Sequence, residues 1–170
     1  YTANGRPERR YFAQLAGSGL DARAIEMTRW SLKKKIGPLA YVVAGLNALL
    51  GKQSQITVNF GAQSVAGQLV LIGNGRYYGG RFATCPDADM RDGRLEICVF
   101  PRVNWLTLAW CAPRLLTRGL LPKKAVRRFR SETLGLSAPT TTPFQLDGEL
   151  AGDLPATFSV QPRKLRMIVP

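Results

Sequence analysis

From residue 56 onward the chain is broken into short runs, "ITVNF", "VAGQLVLIGN", "RLEICVF", "PFQLDGEL", "ATFSVQP" and "KLRMIVP". Each is alternating or wholly apolar, and each is bounded by Gly, Pro, Asn or Asp. Such runs predict strands, because β-branched and aromatic residues suit a pleated, half-buried surface and the flanking residues end it. Ahead of them, "PLAYVVAGLNALLG" sets Leu39, Val42, Val43, Leu46, Leu49 and Leu50 at helical spacing, with Pro38 suited to the first turn and Gly51 to the stop. "RRYFAQLAGSGLDARAIE" reads as a strand, a small-residue turn and a helix start. "NWLTLAWCAPRLLTRGLL" reads as a helical stretch that Pro113, Arg114 and Arg118 interrupt, short for a membrane span. Together these pieces predict a mainly β (α+β) fold, an antiparallel β-sandwich with a few helices packed at its edge.

A chain of 170 residues is the size of one domain, 1–170, and can bury a sizeable core. It contains no histidine. That excludes a Ser-His-Asp triad, a Cys-His pair and an HExxH zinc site, and leaves acid–base chemistry to carboxylates, Lys and Tyr. Cys85, Cys98 and Cys111 are odd in number and lack CxxC spacing, so neither a disulfide framework nor a zinc site is expected, and a reducing cytoplasm is the expected compartment. The net charge of +13, from 24 basic and 11 acidic residues, implies attraction to nucleic acid, nucleotide phosphate or anionic membrane. The start at Tyr1, with no basic leader ahead of an apolar core, is expected of a segment of a longer protein.

Four stretches carry candidate chemistry. "GNGRYYGG", residues 73–80, has a Gly-x-Gly after an apolar strand, but a dinucleotide-binding turn must open directly into a helix, and this one runs on through aromatics and glycines to a proline. A bend that lets backbone approach something closely is the expected alternative. "DADMRDGRLE" concentrates acids without the spacing of an EF-hand. Asp89, Asp92 and the carbonyl of Arg94 form either an acidic surface turn or a site for a hard cation. "CAPRLLTRGLLPKKAVRRFR" carries seven basic residues and no acid, so it is a solvated face or a polyanion-binding patch. In "PFQLDGEL" the alternation of Phe144, Leu146, Gly148 and Leu150 would put Gln145, Asp147 and Glu149 on one strand face, whereas Asp-Gly alone signals a hairpin turn.

In this order, "RYFAQLAGSGLDA", "GPLAYVVAGL", "LVLIGNGRYYGGRFATCPDADMRDGRLEICVF", "FQLDGEL" and "VQPRKLRMIVP" resemble the C-terminal half of the soluble diacylglycerol-kinase family of lipid kinases, relatives of sphingosine and ceramide kinases. The resemblance implies a second, N-terminal α/β domain whose GGDGT-type loop holds ATP, and this chain contains no GGDGT. It implies an ATP- and magnesium-dependent transfer of a phosphoryl group to a lipid hydroxyl by the intact protein, and an inactive isolated domain. It assigns Asp147, Gly148 and Glu149 to the interdomain cleft, where the carboxylates accept the hydroxyl proton and organise magnesium; which one is the base stays open. It also implies a structural or regulatory ion, magnesium or calcium, at Asp89, Asp92 and the carbonyl of Arg94. "AGSGLDA" matches a family turn near the lipid pocket, with no role assigned to Asp21.

The partners so implied are the N-terminal nucleotide-binding domain, a lipid substrate, and an anionic membrane surface met by Lys123, Lys124, Arg127, Arg128 and Arg130 together with the leucines before them. The expected location is cytoplasmic and peripheral at the membrane, and a homodimer is compatible. The competing reading is a free-standing basic polyanion-binding module without catalysis. Nucleic acid is not expected, since its binders usually expose stacking aromatics among basic residues and only Phe129 does so here. Diacylglycerol, a long-chain base, phosphatidylglycerol or a polyisoprenol would each present a suitable hydroxyl.

Overall fold

A computed structural model of the chain describes residues 1–3, 6–27, 47–78, 82–117 and 121–162. A short ribbon, β1 (Thr2–Ala3) and β2 (Arg6–Pro7), precedes β3 (Leu15–Gly19) and α1 (Leu20–Met27). Then come β4 (Ile56–Phe60), β5 (Gln63–Gly67), β6 (Leu69–Gly73), β7 (Leu95–Phe100) and α2 (Trp105–Thr117). β8 (Arg127–Ser131), β9 (Thr133–Ser137), β10 (Pro143–Leu146), β11 (Glu149–Asp153) and β12 (Ala156–Ser159) complete the described elements. Among the described residues every strand pairing is antiparallel: β1 with β2 in the ribbon, one sheet of order β11-β10-β3-β6-β7-β8 and another of order β12-β9-β4-β5. The expected antiparallel sandwich is therefore the fold.

The residue patterns explain the layers. In β4, Ile56, Val58 and Phe60 are buried while Asn59 is exposed, as a sheet with one solvated face requires. In β6 every residue is buried because both faces are covered. Val70 and Ile72 meet Ile56, Val58, Leu134 and Leu136 in the core between the sheets, and Leu69 and Leu71 join Leu20, Phe100 and Cys111 on the far side. Truncating a buried Ile such as Ile72 to Ala would cost about 2–5 kcal/mol in lost transfer energy and cavity.

Helix α1 lies across β3, β10 and the edge strand β11. Helix α2 is capped by the preceding Asn104, whose Oδ1 accepts the Thr107 N–H at 2.9 Å. It then runs through Pro113 and Arg114 without the expected interruption. A proline removes one intrahelical hydrogen bond, and the burial of Cys111 and Leu108 against the second core offsets that loss.

The "AGSG" segment is a second departure from the sequence reading: the expected small-residue turn is a fully buried central strand, β3. Its residues are small because neighbours fill the space above them. A Cβ on Gly17 would run into Asp21 Oδ2 and lie 2.9 Å from Gln145 Nε2. Of the predicted helix over 39–50, residues 47–50 are described; they are helical and stop at Gly51, whose N–H donates to the Ala48 carbonyl at 3.3 Å. The rest of that helix, and the "KLRMIVP" strand, lie outside the described residues. Among the described residues no helix is long and apolar enough to cross a membrane.

Candidate functional site

Strands β10 and β11 are joined by the two-residue turn Asp147-Gly148, with Leu146 opposite Glu149. Both turn residues have positive φ, +49° at Asp147 and +92° at Gly148, as a type I′ hairpin requires; Asp and Gly tolerate that backbone. The chain therefore reverses at Asp147 instead of continuing as one alternating strand, and Gln145, Asp147 and Glu149 do not line a single strand face.

The turn is pinned from the far end of the chain. Asp147 Oδ2 accepts the Ala13 N–H at 2.7 Å, and its Oδ1 accepts the N–H groups of Gln14 and Leu15, each at 2.9 Å. Its own N–H donates to the Leu15 carbonyl at 2.8 Å. The Glu149 side chain, two residues on, is exposed and makes no hydrogen bond or ion pair with another described residue. One carboxylate is held by backbone N–H groups and the other is exposed.

A second loop closes around the same point. The Gln14 carbonyl accepts the N–H groups of Asn74 and Gly75, each at 3.0 Å, and Asn74 Nδ2 donates to the Ala13 carbonyl at 2.8 Å. A Cβ on Gly75 would collide with the Gln14 side chain, so "GNG" is the close-approach bend that its sequence suggests. Asn74 Oδ1 is buried without a partner among the described residues.

Beneath the turn lies Asp21, in the first turn of α1 and buried. Its Oδ1 accepts the Tyr78 hydroxyl, and its Oδ2 accepts Gln145 Nε2 at 2.8 Å. The Oε1 of Gln145 in turn accepts the Gly148 N–H at 2.7 Å. Burial raises the Asp21 carboxyl above its ordinary range, and the two donors oppose that rise. Sequence reading gave Asp21, Tyr78 and Gln145 no role; the run of small residues in β3 was the available signal that something polar is packed over that strand.

The other predicted site residues are arranged differently. Asp89 Oδ1 accepts the Arg91 N–H at 3.0 Å and Asp92 Oδ1 the Arg94 N–H at 2.8 Å, which makes two successive local turns. The guanidinium of Arg130 takes Asp92 Oδ2. Among the described residues no group of three or more Cys, Asp or Glu side chains could hold a metal ion. In this arrangement one Asp92 oxygen is taken by Arg130 and the other by the Arg94 N–H, and the ion expected at Asp89, Asp92 and the Arg94 carbonyl stays a proposal.

The basic run is one-signed along the chain but not in space. In β8 the alternating side chains divide: Arg128 faces the buried Glu96 at 3.8 Å, Arg130 pairs with Asp92, and Phe129 turns inward onto Phe60, ring centroids 4.9 Å apart. Lys123, Lys124 and Arg127 are exposed. Leu121, expected at a bilayer surface, is buried.

The described residues thus form an antiparallel sandwich with an exposed carboxylate, Glu149, beside an anchored turn. Residues 14–169 match the family described as the YegS C-terminal NAD kinase beta sandwich-like domain, and the chain belongs to that family. It is 32% identical over 164 residues to a protein of Stenotrophomonas maltophilia named "Probable lipid kinase YegS-like", covering 93% of this chain and 52% of the relative. It is 27% identical over 170 residues to a Staphylococcus haemolyticus "Diacylglycerol kinase", covering 98% of this chain and 51% of that one. A diacylglycerol kinase crystal structure from Bacillus anthracis str. Sterne shares the fold, with a TM-score of 0.64 at 20% identity over 94% of this chain and 52% of the other. The chain thus spans about half the length of the curated relatives it matches.

Proposed function

We propose that this chain is the C-terminal half of an ATP-dependent lipid kinase, in which Glu149 accepts the proton of a lipid hydroxyl while Asp147 holds the turn that carries it. The observation behind this division is the contrast between the two carboxylates: Asp147 receives three backbone N–H groups, and the Glu149 side chain has no partner among the described residues. Phosphoryl transfer depends on positioning and charge neutralisation more than on covalent help, so a carboxylate on a rigid mount suits the general base of a chain without histidine. ATP would be held mainly by the remaining part of the protein, with its magnesium neutralising phosphate charge; Gly148 keeps the backbone beside Glu149 in the turn geometry. The relatives named as lipid and diacylglycerol kinases support this reading by their names and by being about twice as long.

The test is Glu149→Gln in the full-length protein. Turnover of a diacylglycerol substrate should fall by about 10²- to 10⁴-fold, the usual contribution of a general base, with the thermal unfolding midpoint unchanged. Near-wild-type turnover would return Glu149 to an ordinary surface position. The isolated 170 residues should show no turnover, because the sequence has no GGDGT loop to cradle phosphate. A free-standing polyanion-binding module draws less support, since Arg128 and Arg130 are already engaged by acids.

A further inference from the structure

We propose that the outward face of α2 is a docking surface for an anionic lipid bilayer, with Trp105, Leu106 and Trp110 entering the headgroup boundary. Helix α2 is apolar on two sides. Leu108 and Cys111 pack into the second core, while Trp105, Leu106 and Trp110 are 52%, 80% and 46% exposed. A helix on a protein surface normally turns a polar face outward, and one that is apolar all round has something against each side. Beside the exposed residues is a groove of about 720 Å³ lined by Pro101, Arg102, Leu106, Trp110 and Lys124.

Charge selects the occupant. From Ile97 to Ser131 the chain contains no acidic residue; Arg102 and Lys124 line the groove, and Arg114 lies against Trp110. The Arg114 guanidinium stands 5.6 Å over the Trp110 ring, where its apolar stem and cationic head can share the ring's boundary position. A surface of exposed indoles and leucine beside a groove whose charged lining residues, among those described, are the cations Arg102 and Lys124 fits phosphate headgroups above acyl chains, where Trp and basic residues both concentrate. This surface differs from the one read in the sequence: its apolar part is the start of α2 and not the buried Leu121, and its cations are not the paired Arg128 and Arg130. The inference deepens the lipid-kinase reading by giving the enzyme a route to an insoluble substrate, but its test reads binding and not turnover.

Full-length protein is mixed with vesicles of phosphatidylcholine and phosphatidylglycerol, or of phosphatidylcholine alone, in sedimentation and in tryptophan quenching by brominated acyl chains. Binding and quenching are expected with the anionic vesicles only, both weakened by salt. Leu106→Asp should lower the partition coefficient about tenfold, because an exposed leucine gains most of its burial in the membrane. Trp105→Phe combined with Trp110→Phe should keep most binding and lower the quenching, Trp30 remaining as a fluorophore. Failure of the wild type to bind anionic vesicles, wild-type binding by Leu106→Asp, or quenching undiminished in the double variant would each overturn the proposal. So would indoles shielded from acrylamide in the lipid-free protein, which would mean that another part of the protein or a protein partner covers this face. Should Leu106→Asp not fold, the quenching of the wild type and the double Phe variant still decides. Turnover on detergent-dispersed lipid should be unchanged in Leu106→Asp; absence of turnover in the wild type would count against the kinase reading alone.

Discussion

Gln145 donates its side-chain amide to Asp21 Oδ2 at 2.8 Å, while the oxygen of the same amide accepts the Gly148 N–H at 2.7 Å. A backbone N–H only donates, so the Gly148 contact fixes the oxygen end of the amide and leaves its nitrogen to Asp21. The buried acid of α1 thereby orients the side chain that holds the turn between Asp147 and Glu149.

Replacing Gln145 by Leu keeps bulk but leaves the Gly148 N–H and Asp21 Oδ2 each without this partner. An unmet buried polar group costs about 1–3 kcal/mol, so Gln145→Leu should lower unfolding stability by at least that much in a urea titration. A variant as stable as the wild type would show that the amide merely fills space.

Stability should also carry the signature of Asp21 in its pH dependence. Burial raises this carboxyl above its unfolded value near 3.8, so the folded protein keeps the proton to higher pH than the unfolded chain does. The stability contributed is full below the unfolded value and is lost as pH rises through the folded one. Asp21→Asn cannot ionise. Its stability relative to wild type should therefore improve as pH rises through that window, measured by denaturant titration at a series of pH values; a difference independent of pH would contradict the raised carboxyl.

Asp147 and Glu149 should separate by what their loss damages. Asp147→Ala removes the acceptor of three N–H groups and should cost about 1–3 kcal/mol of stability, the modest end of such effects because the carboxylate is partly solvated. Glu149→Gln should cost almost none. Equal unfolding midpoints for the two variants would remove the distinction between anchor and base.

At the acidic turn, a divalent ion has to displace the Arg130 guanidinium from Asp92. Calorimetric titration with magnesium or calcium chloride should therefore show tighter binding to this cluster in Arg130→Gln than in the wild type. Tight binding in the wild type that Arg130→Gln leaves unchanged would mean that the guanidinium does not compete for the site.

Much of the architecture was legible because its causes are local. Strand alternation in "ITVNF" and the unbroken apolar run of β6 each follow from a few neighbouring residues and their backbone preferences. The path of α2 through Pro113 was not legible, because the packing of Leu108 and Cys111 that outweighs the proline comes from residues elsewhere in the chain.

By itself the sequence determined the sandwich class, the lack of histidine and the excess of positive charge, and at Asp147-Gly148 it left a strand and a hairpin open until the backbone showed the hairpin. Tertiary structure alone decided which carboxylate is bound and which is free, because the N–H groups on Asp147 belong to residues 13 to 15, more than a hundred positions away. It also decided that the basic run divides, since pairing β7 with β8 sets Glu96 opposite Arg130 and brings the buried carboxylate of Glu96 to Arg128. Those outcomes depend on register between distant strands, and a pattern read along one segment contains no information about the segment it will pair with.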